Sequence, residues 1–152
     1  MRSLRDSAHK QELLARLQKV TPDSQRRWGR MTPHQMICHL NDSFKAAMGE
    51  KSVSAADNFF TRTVVKWVAF RVPLKWPKGY KTRPEMDQQV GGTEPIEFQR
   101  DVLELEHLIE RFVRPERDFD WQAHPVFGKM SEWEWLRWGY LHVDHHLRQF
   151  GA

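Results

Sequence analysis

The sequence predicts an all-α protein, a four-helix bundle with an additional short helix or a long loop. Three observations carry this. Apolar residues recur at spacings of three and four over four long stretches, two of those stretches open with complete capping-box patterns, and no stretch alternates with period two over the length of a strand. At 152 residues, the chain is the size of one compact domain, taken here as residues 1–152.

The first helix is expected over Ser3 to Val20, with Leu13, Leu14, Leu17 and Val20 on one side and charges on the other. The second is the best delimited. Thr32 is its N-cap, Pro33 the first helical residue and Gln35 the reciprocal partner of the cap, while Gly49 stops it. The third, Asp57 to Arg71, is apolar nearly all round and is therefore expected to be well buried. Pro73 ends it. Residues 73–94 follow, a connection longer than ordinary loops that contains Pro73, Pro77, Pro84 and Gly91-Gly92. The fourth helix is expected from Pro95, with Phe98, Val102, Leu105, Ile109 and Phe112 on its core face and Pro115 beyond its end. The last opens at a second capping box, Ser131 to Glu134, and runs to about Phe150. Two stripes share it. Trp133, Leu136, Tyr140, Val143, Leu147 and Phe150 face the core, and Trp135, Trp138, His142, His146 and Gln149 lie about 100° around.

Composition excludes several classes. The longest apolar run, Val64 to Phe70, contains Lys66 and falls well short of the ~18 apolar residues of a membrane span. No signal peptide is expected, and a single cysteine, Cys38, fits a reducing cytoplasm and no disulfide framework. A net charge of +4 is too mild to imply nucleic acid. The charge is uneven, however. Lys66, Arg71, Lys75, Lys78, Lys81 and Arg83 fall in a stretch without acids, with Trp76 and Tyr80 among them, which reads as a solvated basic loop or as a grip for an anionic ligand.

The chemistry lies in the histidines. His9, His34, His107 and His124 read as ordinary surface, capping or loop residues. His142 and His146, one helical turn apart, can reach a single cation, and His142 with His145 is the competing pair. Two ligands make a weak site. The third candidate is His39, in the middle of the second helix, with Asp42 and Ser43 on the same side. Asp42 is preferred over Asp144 as a fourth ligand or an orienting partner. Cys38 lacks a basic neighbour to activate it and reads as a small core residue. A triad of Ser43, His39 and Asp42 would lack an oxyanion site, and Gly91-Gly92 is no phosphate loop.

The segments WGRMTPHQMICHLNDSF (Trp28 to Phe44) and LHVDHHLRQFG (Leu141 to Gly151) together resemble the DinB-like, or YfiT-like, metalloprotein superfamily. Residues 78–98 suggest a branch apart from its better-known members. The resemblance implies a metal triad at His39, His142 and His146, with His145 a neighbour, holding a divalent cation such as Zn, Ni, Mn or Fe. It further implies a metal-dependent, thiol-dependent transferase whose partner is a low-molecular-weight thiol or another small molecule. A homodimer is compatible with this reading. The alternative is a non-enzymatic, metal-stabilised bundle acting as a stress-related binding module. Under the enzyme reading Trp135 and Trp138 line the pocket; the alternative is that they are ordinary helix-packing aromatics.

Overall fold

The computed structural model describes residues 1–152. It is all-α, with five α-helices and no strand. In order these are α1 (Ser7–Leu17), α2 (Pro33–Ala47), α3 (Lys66–Arg71), α4 (Phe98–Phe112) and α5 (Glu132–Gln149), with a π-helical turn, Thr61–Val65, leading into α3 and a 3-10 turn at Pro84–Met86. No helix is long and apolar enough to cross a membrane.

Both capping boxes form. The Thr32 hydroxyl accepts the Gln35 amide N–H while Gln35 Oε1 accepts from Thr32 N, and Ser131 and Glu134 do the same for α5. Two starts differ from expectation. α1 begins at Ser7, because the Asp6 carboxylate accepts the N–H groups of Ala8 and His9. The preceding Leu4 is buried, and its N–H donates to Leu136 O on α5. α4 begins at Phe98 because Glu97 caps Gln99 and Arg100 in the same way.

α2 packs on α4 and on α5, and α1 packs on α5. Side-chain bonds from Lys10 to Glu110 and from Gln18 to Glu106 join α1 to α4. One cluster of 27 buried hydrophobic residues draws on all five helices. Gly139 lets α5 approach the N-terminal segment, since a Cβ there would stand 2.6 Å from Leu4 Cδ1.

The third helical segment departs most from the sequence reading. It touches α5 through Phe70, which is buried beside Phe127, and through Arg71, whose guanidinium lies over the Trp133 ring. Phe59, Phe60, Val64 and Trp67 face outward, Phe59 with 83% of its surface exposed. The four long helices satisfy one another's apolar faces, so this short segment has one side to bury and nothing above it.

That asymmetry is measurable. Trp67, 61% exposed, should be replaceable by Ser within about 0.5 kcal/mol, whereas Trp135→Ala, at a residue 1% exposed, should cost about 3–5 kcal/mol. Chemical denaturation of the two variants checks both values.

Candidate metal centre

His39 sits in the middle of α2 and faces α5, where His142 and His146 occupy successive turns. The potential ligand atoms of the three lie within 4.8 Å of one another. Ring centroids are 5.2 Å apart for His39 and His142, 4.8 Å for His39 and His146, and 4.9 Å for His142 and His146. His39 and His146 are buried and His142 is half-buried. His145 falls outside the group and stands edge-on to Trp28.

Hydrogen bonding sets the tautomers. His39 Nδ1 donates to Met86 O at 2.8 Å, and His146 Nδ1 donates to Gln149 Oε1 at 2.9 Å. Each Nε2 therefore offers its lone pair to the shared space, the arrangement in which outer partners orient metal-binding imidazoles. Gln149 is itself fixed, because its Nε2 donates to Trp28 O at 2.9 Å. His142 Nδ1 is buried without a partner, and its Nε2 donates to the lone pair of His39 Nε2 when no ion is present.

All three rings are held neutral. Burial pushes His39 down, against the opposing Met86 hydrogen bond and the charges of Asp42 and Asp87. Burial first, and then the neighbouring imidazoles, drive His142 and His146 well below the ordinary histidine value. Neutral imidazole is the metal-binding form. Two nitrogens about 2.0–2.1 Å from one ion at a tetrahedral angle stand about 3.4 Å apart. The observed Nε2 to Nε2 separation of His39 and His142 is 3.2 Å. The residues fit a divalent cation.

Asp42 has another task than the one expected of it. Its carboxylate is fully buried, accepting from Thr93 N at 2.9 Å, Thr93 Oγ1 at 2.6 Å and Gln88 Nε2 at 2.9 Å, and pairing with Lys51 at 3.0 Å. It is saturated, and so closes no coordination sphere. Instead it anchors the 87–93 turn, which carries Met86 O to His39. Gly92 belongs to the same device, since a Cβ there would meet Asp87 C at 2.9 Å. Asp144 is spent on Arg16 and Arg148.

The triad opens into a cavity of about 1030 Å³. Trp135 and Trp138 line it as expected, with Trp76, Val126 and Phe127 among the other apolar walls. The basic segment is divided rather than a single patch. Lys81 and Arg83 line the cavity, and Lys78 lies over the ring of Trp28, another lining residue. Lys66 and Arg71 are engaged with the α5 end of the fold. Arg30 and Lys51 add two cations, both in ion pairs, while Asp87, the partner of Arg30, is the acid in the wall.

Two histidines read as ordinary prove otherwise. His34 bonds to Asp101 across α2 and α4. His124 lies in the cavity wall against Trp135 and Trp138, and its Nδ1 accepts the N–H groups of Val126 and Phe127 at 3.1 and 3.2 Å. The following Pro125 marked a turn, but nothing local to His124 signalled the tryptophans 11 and 14 residues on.

The fold and site describe a helical protein with a buried group of three histidines able to hold a metal ion. The chain belongs to the family described as "Protein of unknown function (DUF1569)", whose model matches residues 2–152. That match corrects the resemblance to the DinB-like, or YfiT-like, superfamily, because it covers the chain from end to end where the resemblance rested on two short histidine segments. No curated protein and no solved structure matches the chain.

Two outcomes are expected here. Gln149→Leu should lower metal affinity about 10–100-fold, measured by competition with a chelating dye. Burial holds His124 at a pKa of about 3 against an ordinary 6.5. The unfolded chain thus binds a proton that the folded one refuses, and stability falls as pH drops from about 6.5 towards about 3. His124→Asn should make that slope shallower in thermal melts across this range, the remainder coming from His39, His142 and His146.

Proposed function

We propose that the four long helices form a four-helix bundle whose purpose is to hold one divalent cation, Zn, Ni, Mn or Fe, at His39, His142 and His146, and that the protein is a metal-dependent enzyme acting on a small anionic molecule. One observation carries the proposal. Three neutral imidazoles, two of them fixed from behind, converge on the wall of a large cavity whose nearest carboxylate on α2, Asp42, is already saturated.

A cation so held supplies Lewis acidity, favouring the deprotonated form of a water or thiol bound at a cavity-facing position. The chain's own residues do the rest. Trp138, whose ring centroid is 4.9 Å from that of His142, shields the triad with Trp135 and keeps the local dielectric low. Lys81 and Arg83 offer positive charge to the ligand's acidic end, and Trp28 and Tyr80 offer ring faces to its body. The free, buried Cys38 suits a reducing cytoplasm. A low-molecular-weight thiol remains among the ligands of the right size and charge. The transferase implied by the superfamily resemblance loses that ground with the DUF1569 match.

Elemental analysis of protein purified without chelators tests the site. His142→Ala and His146→Ala should each lose one equivalent of metal relative to wild type, while His107→Ala, at an exposed residue, keeps the wild-type content. Protein loaded with each metal is then offered small thiols and carboxylate- or phosphate-bearing electrophiles. Turnover that disappears in His39→Ala supports the enzyme. Absence of turnover, with a fourth side chain closing the coordination sphere, would replace it by a metal-stabilised binding module.

A further inference from the structure

α2 carries a second set of donor atoms on a different face. His34 and Cys38 are one turn apart, and successive helical residues diverge by about 100°, so Cys38 turns towards α4 while His39 turns towards α5. Asp101, in the first turn of α4, meets them. His34 Nε2 stands 2.6 Å from Asp101 Oδ2, and Cys38 Sγ stands 3.5 Å from the same oxygen. The three donor atoms lie within 4.8 Å of one another.

We propose that His34, Cys38 and Asp101 form a second cation site, selective for a borderline-soft divalent ion of the zinc class, that ties the start of α2 to the start of α4. Thiolate, imidazole and carboxylate are the donors such an ion prefers, and the two anions balance its charge. The thiol proton leaves to solvent as the metal–sulfur bond forms.

The geometry is close to what the ion requires. At ordinary zinc distances of about 2.3 Å to sulfur and 2.1 Å to oxygen, a tetrahedral site places the two about 3.6 Å apart, and nitrogen and oxygen about 3.4 Å apart. The sulfur–oxygen separation already matches. The nitrogen–oxygen pair must widen by less than 1 Å, and His34, in the first turn of α2 with 20% of its side chain exposed, has room to swing. Phe98 stands edge-on to the His34 ring at 5.4 Å between ring centroids.

The surroundings hold one further sign. Asn41, on the same face of α2 as His34 and Cys38, donates from Nδ2 to Asp101 O at 3.0 Å and leaves its Oδ1 buried without a partner. Asn41 fixes the Asp101 backbone much as an outer partner steadies a ligand. The side chains of His34 and Asp101 are 20% and 15% exposed, which leaves a path for the ion and a position for water.

Cys38 is the only cysteine in the chain, and the three-histidine group contains no sulfur. Cobalt(II) titration therefore separates the two sites, because a thiolate-to-cobalt charge-transfer band in the near ultraviolet reports this one alone. In His142→Ala, where the three-histidine site is disabled, the band should saturate with one equivalent, and wild-type protein should reach the same strength by two equivalents. In the same His142→Ala background it should vanish with Cys38→Ser and be lost at one equivalent with either His34→Ala or Asp101→Asn, with helical circular dichroism retained. A folded His142→Ala protein that shows no band at stoichiometric cobalt overturns the proposal. So does a band of equal strength in His34→Ala and Asp101→Asn, which would mean a thiolate adduct without a built site.

Discussion

Burying three imidazoles between α2 and α5 is the constraint on which the rest of the structure depends. A neutral imidazole in an apolar interior must have its N–H satisfied, and an orphaned polar atom costs about 1–3 kcal/mol. His39 and His146 meet that demand through Met86 O and Gln149 Oε1. The same two bonds orient the free nitrogens of the pair. Satisfying the helix interior and building a ligand set are thus one act, and the remaining orphan, His142 Nδ1, marks the ring whose position is least defined by the protein.

This constraint explains why the 73–94 connection is long and why residues 86–93 are tied down. Met86 O has to be delivered to the face of α2, and a backbone carbonyl can be held there only if its own segment is tied down. Asp42 does this with a fully buried carboxylate facing Thr93, Gln88 and Lys51, and Arg30 pairs with Asp87 from the other side. Gly92 permits the tight return. This connection, longer than an ordinary loop, is the outer support of the site. It also brings Lys81 and Arg83 to the cavity, so that cationic wall and metal-binding wall come from one piece of chain.

α2 has little free surface as a result. One face serves α5 and the histidine group, and another meets α4 through His34, Cys38 and Asn41. Burial and the nearby Asp101 push the Cys38 thiol up to about 12, so in the metal-free protein it is a hydrogen-bond donor and no nucleophile. The large apolar residues of the 59–71 segment, by contrast, remain outside this economy of faces. Periodicity records that a helix is apolar all round, but whether a second layer exists to cover it depends on how many other helices claim the core.

The sequence by itself determined what is local. Capping chemistry placed the starts of α2 and α5, the 3-4 spacing of Phe98 to Phe112 placed the core face of α4, and one helical turn between His142 and His146 put both rings on one stripe. His39 was legible because a histidine in the middle of α2, flanked by Met36 and Leu40, is at least half-buried and needs a partner. Tertiary structure decided everything that depends on which faces meet. It gave Asp42 to a loop instead of an ion, put His124 among tryptophans, joined His34 to Asp101, and turned Phe59 and Trp67 outward. Each of these rests on residues 11 or more positions apart in the chain or on a partner layer being absent. No periodicity encodes such contacts, because the energy that selects them is shared across the whole core.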